Sequence, residues 1–324
     1  MTSAFNSTTT ADQVLGDMDL RNYRFLITGV SSGVGAETAR TLVARGATVI
    51  GTVRSPAKAQ DEISSVQRAA EQGGGAFEVI ELDLASLRSI HAGADKLQAE
   101  GHGFDVILAN AGVMATPFGH TDDGFETQFG TNHLGHFVLV NRLMSSVRPG
   151  GRVVIVSSNG HRGADVDLDD PNFDITPYDP WVAYGRSKTA NSLFAVELDR
   201  RYRGSGIRAC AVMPGTSDTP LMRHLTDDKL DEVFNQIASD RKKGGAAPLK
   251  LKTLTQMAAT SVWAAVVAEG EKIGGRYLEN CNVAEVDDVP GIRDGVMSYA
   301  LDPERARLLW EKSEELVDEY FEPQ

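Results

Sequence analysis

The chain has 324 residues, 41% of them hydrophobic, which suits one large α/β domain or two small ones and excludes a largely disordered protein. Its formal net charge of −13 excludes the basic surface that nucleic acids require and disfavours attachment to anionic membranes. The chain contains no run of about 18 apolar residues, so we expect no membrane span.

Residues 1–20 are rich in Ser, Thr and Asp, and we expect them to form a loose lead-in to a single domain at 21–324. They lack the basic start and the apolar stretch of a signal peptide. Cys210 and Cys281 are too few for a disulfide framework, so we expect a reducing, cytoplasmic setting.

From Tyr23 onwards, short apolar runs alternate with stretches of helical periodicity. The apolar runs predict strands buried on both faces at 24–28, 47–53, 76–82, 104–110, 151–157, 206–213 and 274–279. The stretches between and after them predict helices at 35–45, 56–71, 86–99, 123–147, 183–203 and 253–269, with a last one from about Pro303. This alternation predicts a single doubly wound α/β (Rossmann) domain with about seven parallel strands and helices on both faces.

The first predicted strand leads into a glycine-rich turn, TGVSSGVG at 28–35, that opens the first long helix. The first glycine permits the tight turn, the second lets the backbone approach a pyrophosphate, and the third lets the helix pack on the strand. Free amides at the helix N-terminus then face the phosphates. An ordinary glycine turn is the alternative; a dinucleotide site would use Gly29, Ser31, Ser32, Gly33, Val34 and Gly35.

The second predicted strand ends at Val53 and is followed by Arg54. A carboxylate at this place would accept hydrogen bonds from the adenosine ribose of NAD, and the chain has none beside Val53. Arg54 can pair with a 2′-phosphate through a charge-assisted contact. The sequence therefore favours NADP, and NAD stays possible if Arg54 is only a solvated loop residue.

The next two predicted strands also end in segments that suit a cofactor. Asp83-Leu84 brings a carboxylate that can meet the adenine amino group, and Asn110-Ala111-Gly112 brings small residues that leave room for the cofactor backbone. Both segments also occur as ordinary strand ends, so each supports a cofactor site only in combination with the glycine turn.

Three side chains provide the chemistry of a proton transfer. Tyr184 and Lys188 are four residues apart on predicted helix 183–203 and project from one face. A free tyrosine has a pKa near 10, and a nearby lysine ammonium, together with the positive charge of an oxidised nicotinamide, lowers this pKa by favouring the phenolate. Ser158, just past the fifth strand, can donate a hydrogen bond to a substrate oxygen that gains charge. The set predicts a proton shuttle beside a hydride carrier, whereas Tyr-x-x-x-Lys alone is usually an ordinary helix face.

An acidic insert, residues 162–181, separates the serine from the catalytic helix. Asp165, Asp167 and Asp169 have calcium-loop spacing, but Asp170 stands where such a loop needs glycine, and Thr176 where it needs glutamate. We therefore expect no metal and interpret the insert as a solvated loop that shapes the site entrance.

In this order the motifs resemble the short-chain dehydrogenase/reductase family over about residues 22–215. A gap of 26 residues between Ser158 and Tyr184 resembles the retinol-dehydrogenase-like branch, although Met213 stands where that branch often has histidine. The motifs that carry the resemblance are TGVSSGVG, Asp83-Leu84, Asn110-Ala111-Gly112, TNHLGHF around Asn132, Ser157-Ser158, YGRSK at 184–188 and Pro214-Gly215.

The resemblance implies an NADP(H)-dependent oxidoreductase that interconverts an alcohol, preferably secondary, and its carbonyl compound, with Tyr184 as general acid and base. It implies that Lys188 also binds the nicotinamide ribose, that Asn132 holds a water of the proton relay, and that Pro214, Gly215 and Thr216 lie along the nicotinamide. It further implies a homodimer or homotetramer that acts on a small molecule.

Candidates for a substrate pocket are His161, close after Ser158, and Leu221 and Met222 in an expected lid over 217–250. A bland amphipathic helix explains the two lid residues equally well. His133 and His136 lack a third ligand for a metal, so we expect packing roles for them. Two rival functions stay open: reduction of an activated C=C bond at the same site, and a non-catalytic dinucleotide sensor or scaffold.

Overall fold

A sheet of eight strands forms the centre of the computed structural model, which describes residues 5–217, 227–243, 245 and 247–322. The strand order is β3-β2-β1-β4-β5-β6-β7-β8, and all neighbours are parallel except the antiparallel pair β7 and β8. The predicted doubly wound α/β domain is therefore confirmed, with a short antiparallel edge strand added. The strands are β1 (Arg24–Thr28), β2 (Thr48–Val53), β3 (Ala76–Glu81), β4 (Phe104–Ala109), β5 (Val147–Val156), β6 (Arg208–Met213), β7 (Tyr277–Glu279) and β8 (Asn282–Val283).

Helices follow most strands and cover both faces of the sheet. The α-helices are α1 (Ala11–Leu15), α2 (Gly33–Val43), α3 (Gln60–Gly73), α4 (Leu87–Ala99), α5 (Thr127–Phe129), α6 (Gly135–Leu143), α7 (Pro180–Tyr202), α8 (Asp227–Lys243), α9 (Leu254–Val262), α10 (Gly270–Ile273) and α11 (Pro303–Val317). Among the residues that the structure describes, none of these helices has the length and hydropathy that crossing a membrane requires.

Strand β1 shows why the apolar runs are continuous. Phe25, Leu26 and Ile27 are all fully buried. Successive side chains of a strand point to opposite faces, and Leu26 belongs to one hydrophobic cluster while Phe25 and Ile27 belong to the other. Because both faces of the sheet are covered, the three central positions of the strand all need apolar residues.

The N-terminal segment is packed rather than loose. Helix α1 begins with a capping box between Thr10 and Gln13, and its apolar residues Val14 and Leu15 are buried together with Leu20. The helix lies against α9 and α2. The expectation of a loose lead-in is therefore wrong for this segment. A few closely spaced apolar residues within a polar stretch are enough to attach it to the core.

The predicted helix 123–147 is interrupted. It consists of α5, a π-helical turn at Gly130–Leu134, α6 and a short 3-10 turn, and β5 begins already at Val147. Close backbone approaches accompany the irregularity, since a Cβ on Gly135 would lie 2.4 Å from the carbonyl oxygen of Leu84. The predicted helix 253–269 changes in the same way, because α9 ends at Val262 and a π-helical turn, Trp263–Val267, continues it.

Candidate active site

A cavity opens at the carboxyl ends of the parallel strands, where β1 and β4 lie side by side and the chain order of the sheet reverses. Every residue predicted to contact a cofactor lines this cavity except Thr216. Those that line it, together with Ser158, are Gly29, Ser31, Ser32, Gly33, Val34, Gly35, Arg54, Asp83, Leu84, Asn110, Ala111, Gly112, Tyr184, Lys188, Pro214 and Gly215.

The glycines of the first turn serve two different purposes. A Cβ on Gly29, which has φ 74°, would lie 2.8 Å from the Cβ of Ala111, and one on Gly35 would lie 2.2 Å from the carbonyl oxygen of Gly29. These two glycines therefore permit close packing of the turn, β4 and α2. Gly33 has φ 63°, and a Cβ there would meet no atom within 4 Å. Gly33 leaves space open in the cavity.

The N-terminus of α2 fits a dinucleotide phosphate. The helix begins at Gly33, and its N-cap residue, Ser32, makes no side-chain hydrogen bond to the first amides. Unfilled amides at a helix N-terminus attract an anion. With the open space beside Gly33, the turn has both the donors and the room that a pyrophosphate needs.

Arg54 and Asp83 lie along the same cavity. Arg54 is exposed and forms no ion pair with any residue in the described part of the chain. Asp83 lines the cavity and accepts a hydrogen bond from the Ala85 amide at 3.0 Å. The guanidinium of Arg54 therefore suits a phosphate group, because a phosphate would provide the negatively charged partner that Arg54 lacks among the described residues.

Tyr184 and Lys188 are brought together with Ser158 at the inner end of the cavity. Tyr184 is 5% exposed and lies beside the half-buried Ser158, whose Oγ accepts a hydrogen bond from the Gly160 amide at 3.1 Å. Lys188 is 3% exposed, and its Nζ donates to the carbonyl oxygen of Val156 at 3.1 Å and lies 5.7 Å from the centre of the Tyr184 ring. A phenol, a hydroxyl and an amine thus face one cavity.

Burial dominates the ionisation of this pair. It raises the pKa of Tyr184 to about 12, and the Ser158 hydroxyl opposes this rise. It lowers the pKa of Lys188 to about 8. Without a cofactor, loss of hydration dominates the pKa of Tyr184, and the Lys188 amine points toward Val156. The expected lowering of this pKa by the lysine together with the nicotinamide charge stays a prediction.

Asn132 lies in the π-helical turn between α5 and α6, and both polar atoms of its side chain are hydrogen-bonded. Its Oδ1 accepts from the Val113 amide at 2.8 Å, and its Nδ2 donates to the Val113 carbonyl and to Ser187 Oγ, both at 2.9 Å. Ser187 Oγ donates in turn to the backbone carbonyl of Tyr184 at 2.8 Å. Asn132 therefore connects the loop after β4 to the catalytic helix; its role in a proton relay stays a prediction.

Two polar residues behind the site, Thr28 and His136, were not predicted as site residues. Thr28 Oγ1 accepts from the Asn110 and Ala111 amides at 2.9 and 3.0 Å, so its own proton goes to His136 Nε2 at 2.8 Å. His136 Nδ1 then donates to the Asn132 carbonyl at 2.9 Å. Burial lowers the pKa of His136 to about 4, which keeps the ring neutral. A threonine ending the strand before the glycine turn was the available signal.

His161 lies behind Ser158 and does not line the cavity. It is 0% exposed, and both of its ring nitrogens are bonded to backbone groups. The prediction that His161 faces the substrate is therefore wrong, because the turn after Ser158 directs its side chain toward the C-terminal part of the chain.

The other substrate candidates lie elsewhere. Leu221 and Met222 fall outside the described residues, and from residue 227 the expected lid contains helix α8. Thr216 stands beside the cavity, where its carbonyl accepts from the Lys252 amide at 2.9 Å. Residues that line the cavity but were not predicted include Val113 and Met257, which lie outside any recognisable motif, and Thr131, which begins the TNHLGHF motif.

Three carboxylates of the acidic insert have partners within the protein. Asp165 pairs with Arg305 at 2.9 Å, Asp167 pairs with Arg186 at 3.4 Å, and Asp170 accepts from the amides of Ile175 and Thr176. Within the described ranges, no three His, Cys, Asp or Glu side chains are grouped so that they could share a metal ion. The insert is held as a folded loop by these contacts.

The chain is similar to known proteins over most of its length. Residues 24–230 match the short chain dehydrogenase family. A "Probable oxidoreductase" of Streptomyces lividans is 42% identical, with 91% of this chain and 97% of that protein covered. Human retinol dehydrogenase 14 is 36% identical, with 90% and 85% covered. A crystal structure of an uncharacterized protein from Mycobacterium paratuberculosis has a TM-score of 0.72 at 34% identity and covers 95% of this chain and 98% of that one.

Proposed function

Because the chain belongs to the short-chain dehydrogenase family, we propose that it is an NADP(H)-dependent enzyme that interconverts an alcohol, preferably secondary, and its ketone or aldehyde. It is an oxidoreductase that acts on CH–OH groups with a nicotinamide dinucleotide. The observation that carries the finer proposal is that Tyr184, Ser158 and the buried Lys188 line one cavity.

The cofactor would be held by the residues that end the first four strands. The amides at the start of α2 would bind the pyrophosphate, and Arg54 would pair with a 2′-phosphate. Asp83 would meet the adenine, and Pro214 and Gly215 would lie along the nicotinamide. The dinucleotide, when bound, supplies or accepts the hydride.

Tyr184 is the proton donor in the direction of reduction. With a pKa of about 12 it is protonated at neutral pH and donates its phenolic proton to the carbonyl oxygen as that oxygen becomes an alkoxide. Ser158 donates a hydrogen bond to the same oxygen, where negative charge develops. In oxidation the phenolate of Tyr184 takes the proton of the substrate hydroxyl.

Lys188 provides a positive charge that stabilises the phenolate when Tyr184 is deprotonated, and it binds the nicotinamide ribose. Asn132 keeps the loop after β4 and the catalytic helix in register through Val113 and Ser187. By resemblance to the family, we also propose a cytoplasmic homodimer or homotetramer, with the insert 162–181 and the lid 217–250 shaping the entrance.

Substitution of Tyr184 tests the proposal. A panel of alcohols and ketones would be followed at the NADPH absorbance, and Tyr184→Phe should abolish turnover while NADPH still binds, as measured by its fluorescence. Retained turnover would contradict the mechanism. Product analysis with labelled hydride separates carbonyl reduction from C=C reduction. A wild-type protein that binds NADPH but turns over no compound of the panel would favour the sensor.

A further inference from the structure

The turn that carries Ser158 is attached to the C-terminal part of the chain. It is one 3-10 helix, Asn159–Gly163, with Ser158 as its N-cap. Asn159 Oδ1 accepts from the hydroxyl of Tyr277 at 3.3 Å. The Arg162 side chain is 0% exposed and donates to three carbonyl oxygens, those of Val289, Gly291 and Gly295. The side chains of Asn159 and Arg162 thus point away from the cavity, toward β7 and segment 284–301 respectively.

His161 forms the most direct connection between Ser158 and this segment. Its Nε2 receives a hydrogen bond from the Met297 amide at 3.1 Å, and an amide can only donate. The ring proton therefore sits on Nδ1, which donates to the backbone carbonyl of Ser158 at 2.7 Å. Burial lowers the pKa of His161 to about 4, so this neutral form is the stable one.

The His161 ring and backbone are fixed from further directions. The ring lies 4.8 Å from that of Tyr277, centre to centre. The His161 carbonyl accepts from the Tyr299 hydroxyl at 2.5 Å and from Thr189 Oγ1 at 3.3 Å. Thr189 follows Lys188 on α7, so the serine turn, the catalytic helix and segment 284–301 meet at His161.

We propose that His161 is a positioning residue for Ser158, which it holds by its backbone so that the serine hydroxyl stays beside Tyr184 in the cavity. The inference rests on the proposed function, since the position of Ser158 matters only if Ser158 takes part in turnover. A displacement of about 1 Å in such a group lowers turnover about 100-fold. His161 itself touches neither the cavity nor a reacting atom.

Two amide substitutions separate the two ring bonds. His161→Asn places an N–H near the position of Nδ1 and keeps the side-chain bond to Ser158, whereas His161→Gln places its amide near Nε2 and keeps, of the two ring bonds, only the one from Met297. The bond from the backbone amide of residue 161 to the Ser158 carbonyl, 3.0 Å, is present in both variants. We expect kcat of the Asn variant within about threefold of wild type and that of the Gln variant lowered about tenfold. NADPH affinity should stay unchanged in both. Equal losses in the two variants would overturn the proposal.

A double-mutant cycle with Ser158→Ala provides the readout that a merely structural role would not change. Ser158→Ala alone should lower kcat about 100-fold, and adding His161→Gln should lower it little further, because the group that His161 positions is gone. A full tenfold further loss would show a structural role and refute the inference. Unchanged turnover of Ser158→Ala would contradict the proposed function itself, which is a separate outcome.

Two further measurements guard against loss of folding. Tyr299→Phe removes a hydrogen bond to the His161 carbonyl without touching Nδ1 and should leave kcat near wild type. If His161→Gln does not fold, His161→Asn still decides, because it keeps the Nδ1 bond and loses the bond from the Met297 amide; a tenfold loss of kcat in this variant would contradict the primacy of the Nδ1 bond.

Discussion

The amine of Lys188 is buried and donates a hydrogen bond to the Val156 carbonyl. Burial lowers its pKa from 10.5 to about 8, so the charged form is disfavoured in the folded protein. The positive charge on Lys188 therefore lowers the free energy of unfolding. At neutral pH the cost is on the order of 3 kcal/mol, from about 1.4 kcal/mol for each pH unit by which the pKa moves.

We expect Lys188→Met, without cofactor, to be more stable than wild type at pH 7 and to be inactive. Between pH about 8 and about 10.5 the unfolded chain binds more protons at this lysine than the folded one, so wild-type stability rises with pH in that window. The difference in urea-derived free energy of unfolding should therefore shrink there. A difference that does not change with pH would contradict the assignment.

Arg54 decides the proposed preference for NADP. Arg54→Asp should replace attraction of a 2′-phosphate by repulsion and offer ribose hydroxyls an acceptor. We expect the ratio of kcat/KM for NADP over NAD to fall by at least about tenfold. The matched control is Lys58→Asp, the same charge change at an exposed residue that does not line the cavity. An unchanged ratio in Arg54→Asp would refute the assignment.

At the scale of elements, a strand, turn or helix could be predicted from the sequence only where the contacts that determine it lie close by in the sequence. Strand positions and the glycine turn follow from sequence, because apolar runs and glycines act on their own neighbourhood. The family and its retinol-dehydrogenase-like branch, predicted from ordered motifs, are confirmed by the relatives. The break in helix 123–147 was not predicted; it is accompanied by a close approach of Gly135 to Leu84, which is far away in sequence. His161 was misplaced for the same reason, because its partner is Met297.

A substitution of Thr28, at the end of β1, tests the hydrogen bonds that join the ends of β1 and β4 to His136 and, through it, to the Asn132 carbonyl. Thr28→Val keeps the shape but leaves the Asn110 and Ala111 amides and His136 Nε2 without their partner. We expect a loss of about 2–3 kcal/mol in the free energy of unfolding. Thr41→Val is the control, because Thr41 is also buried but bonds within its own helix, to the Glu37 carbonyl. Equal losses would refute a special role of Thr28.

Across the whole molecule, parts beyond the family match at 24–230 complete the site. Met257 on α9 lines the cavity, and the Lys252 Nζ donates to the Pro214 carbonyl at 3.2 Å. Segment 284–301 holds the serine turn through His161 and Arg162. Helix α11 buries Trp310 against Phe137 and Phe194 behind the catalytic helices. The C-terminal third is therefore part of the domain that forms the site.

The N-terminal helix should contribute to this domain through packing alone. Leu15 is buried in the cluster that also contains residues of α9, and it contacts no part of the cavity. Leu15→Ala should therefore cost about 2–5 kcal/mol of stability, the usual range for truncating a buried leucine, while kcat of the folded fraction stays near wild type. Denaturant unfolding and turnover at low temperature measure the two quantities, with Asp17→Ala, an exposed change, as control. A loss below about 0.5 kcal/mol would mean that the segment is as loose as its composition indicates.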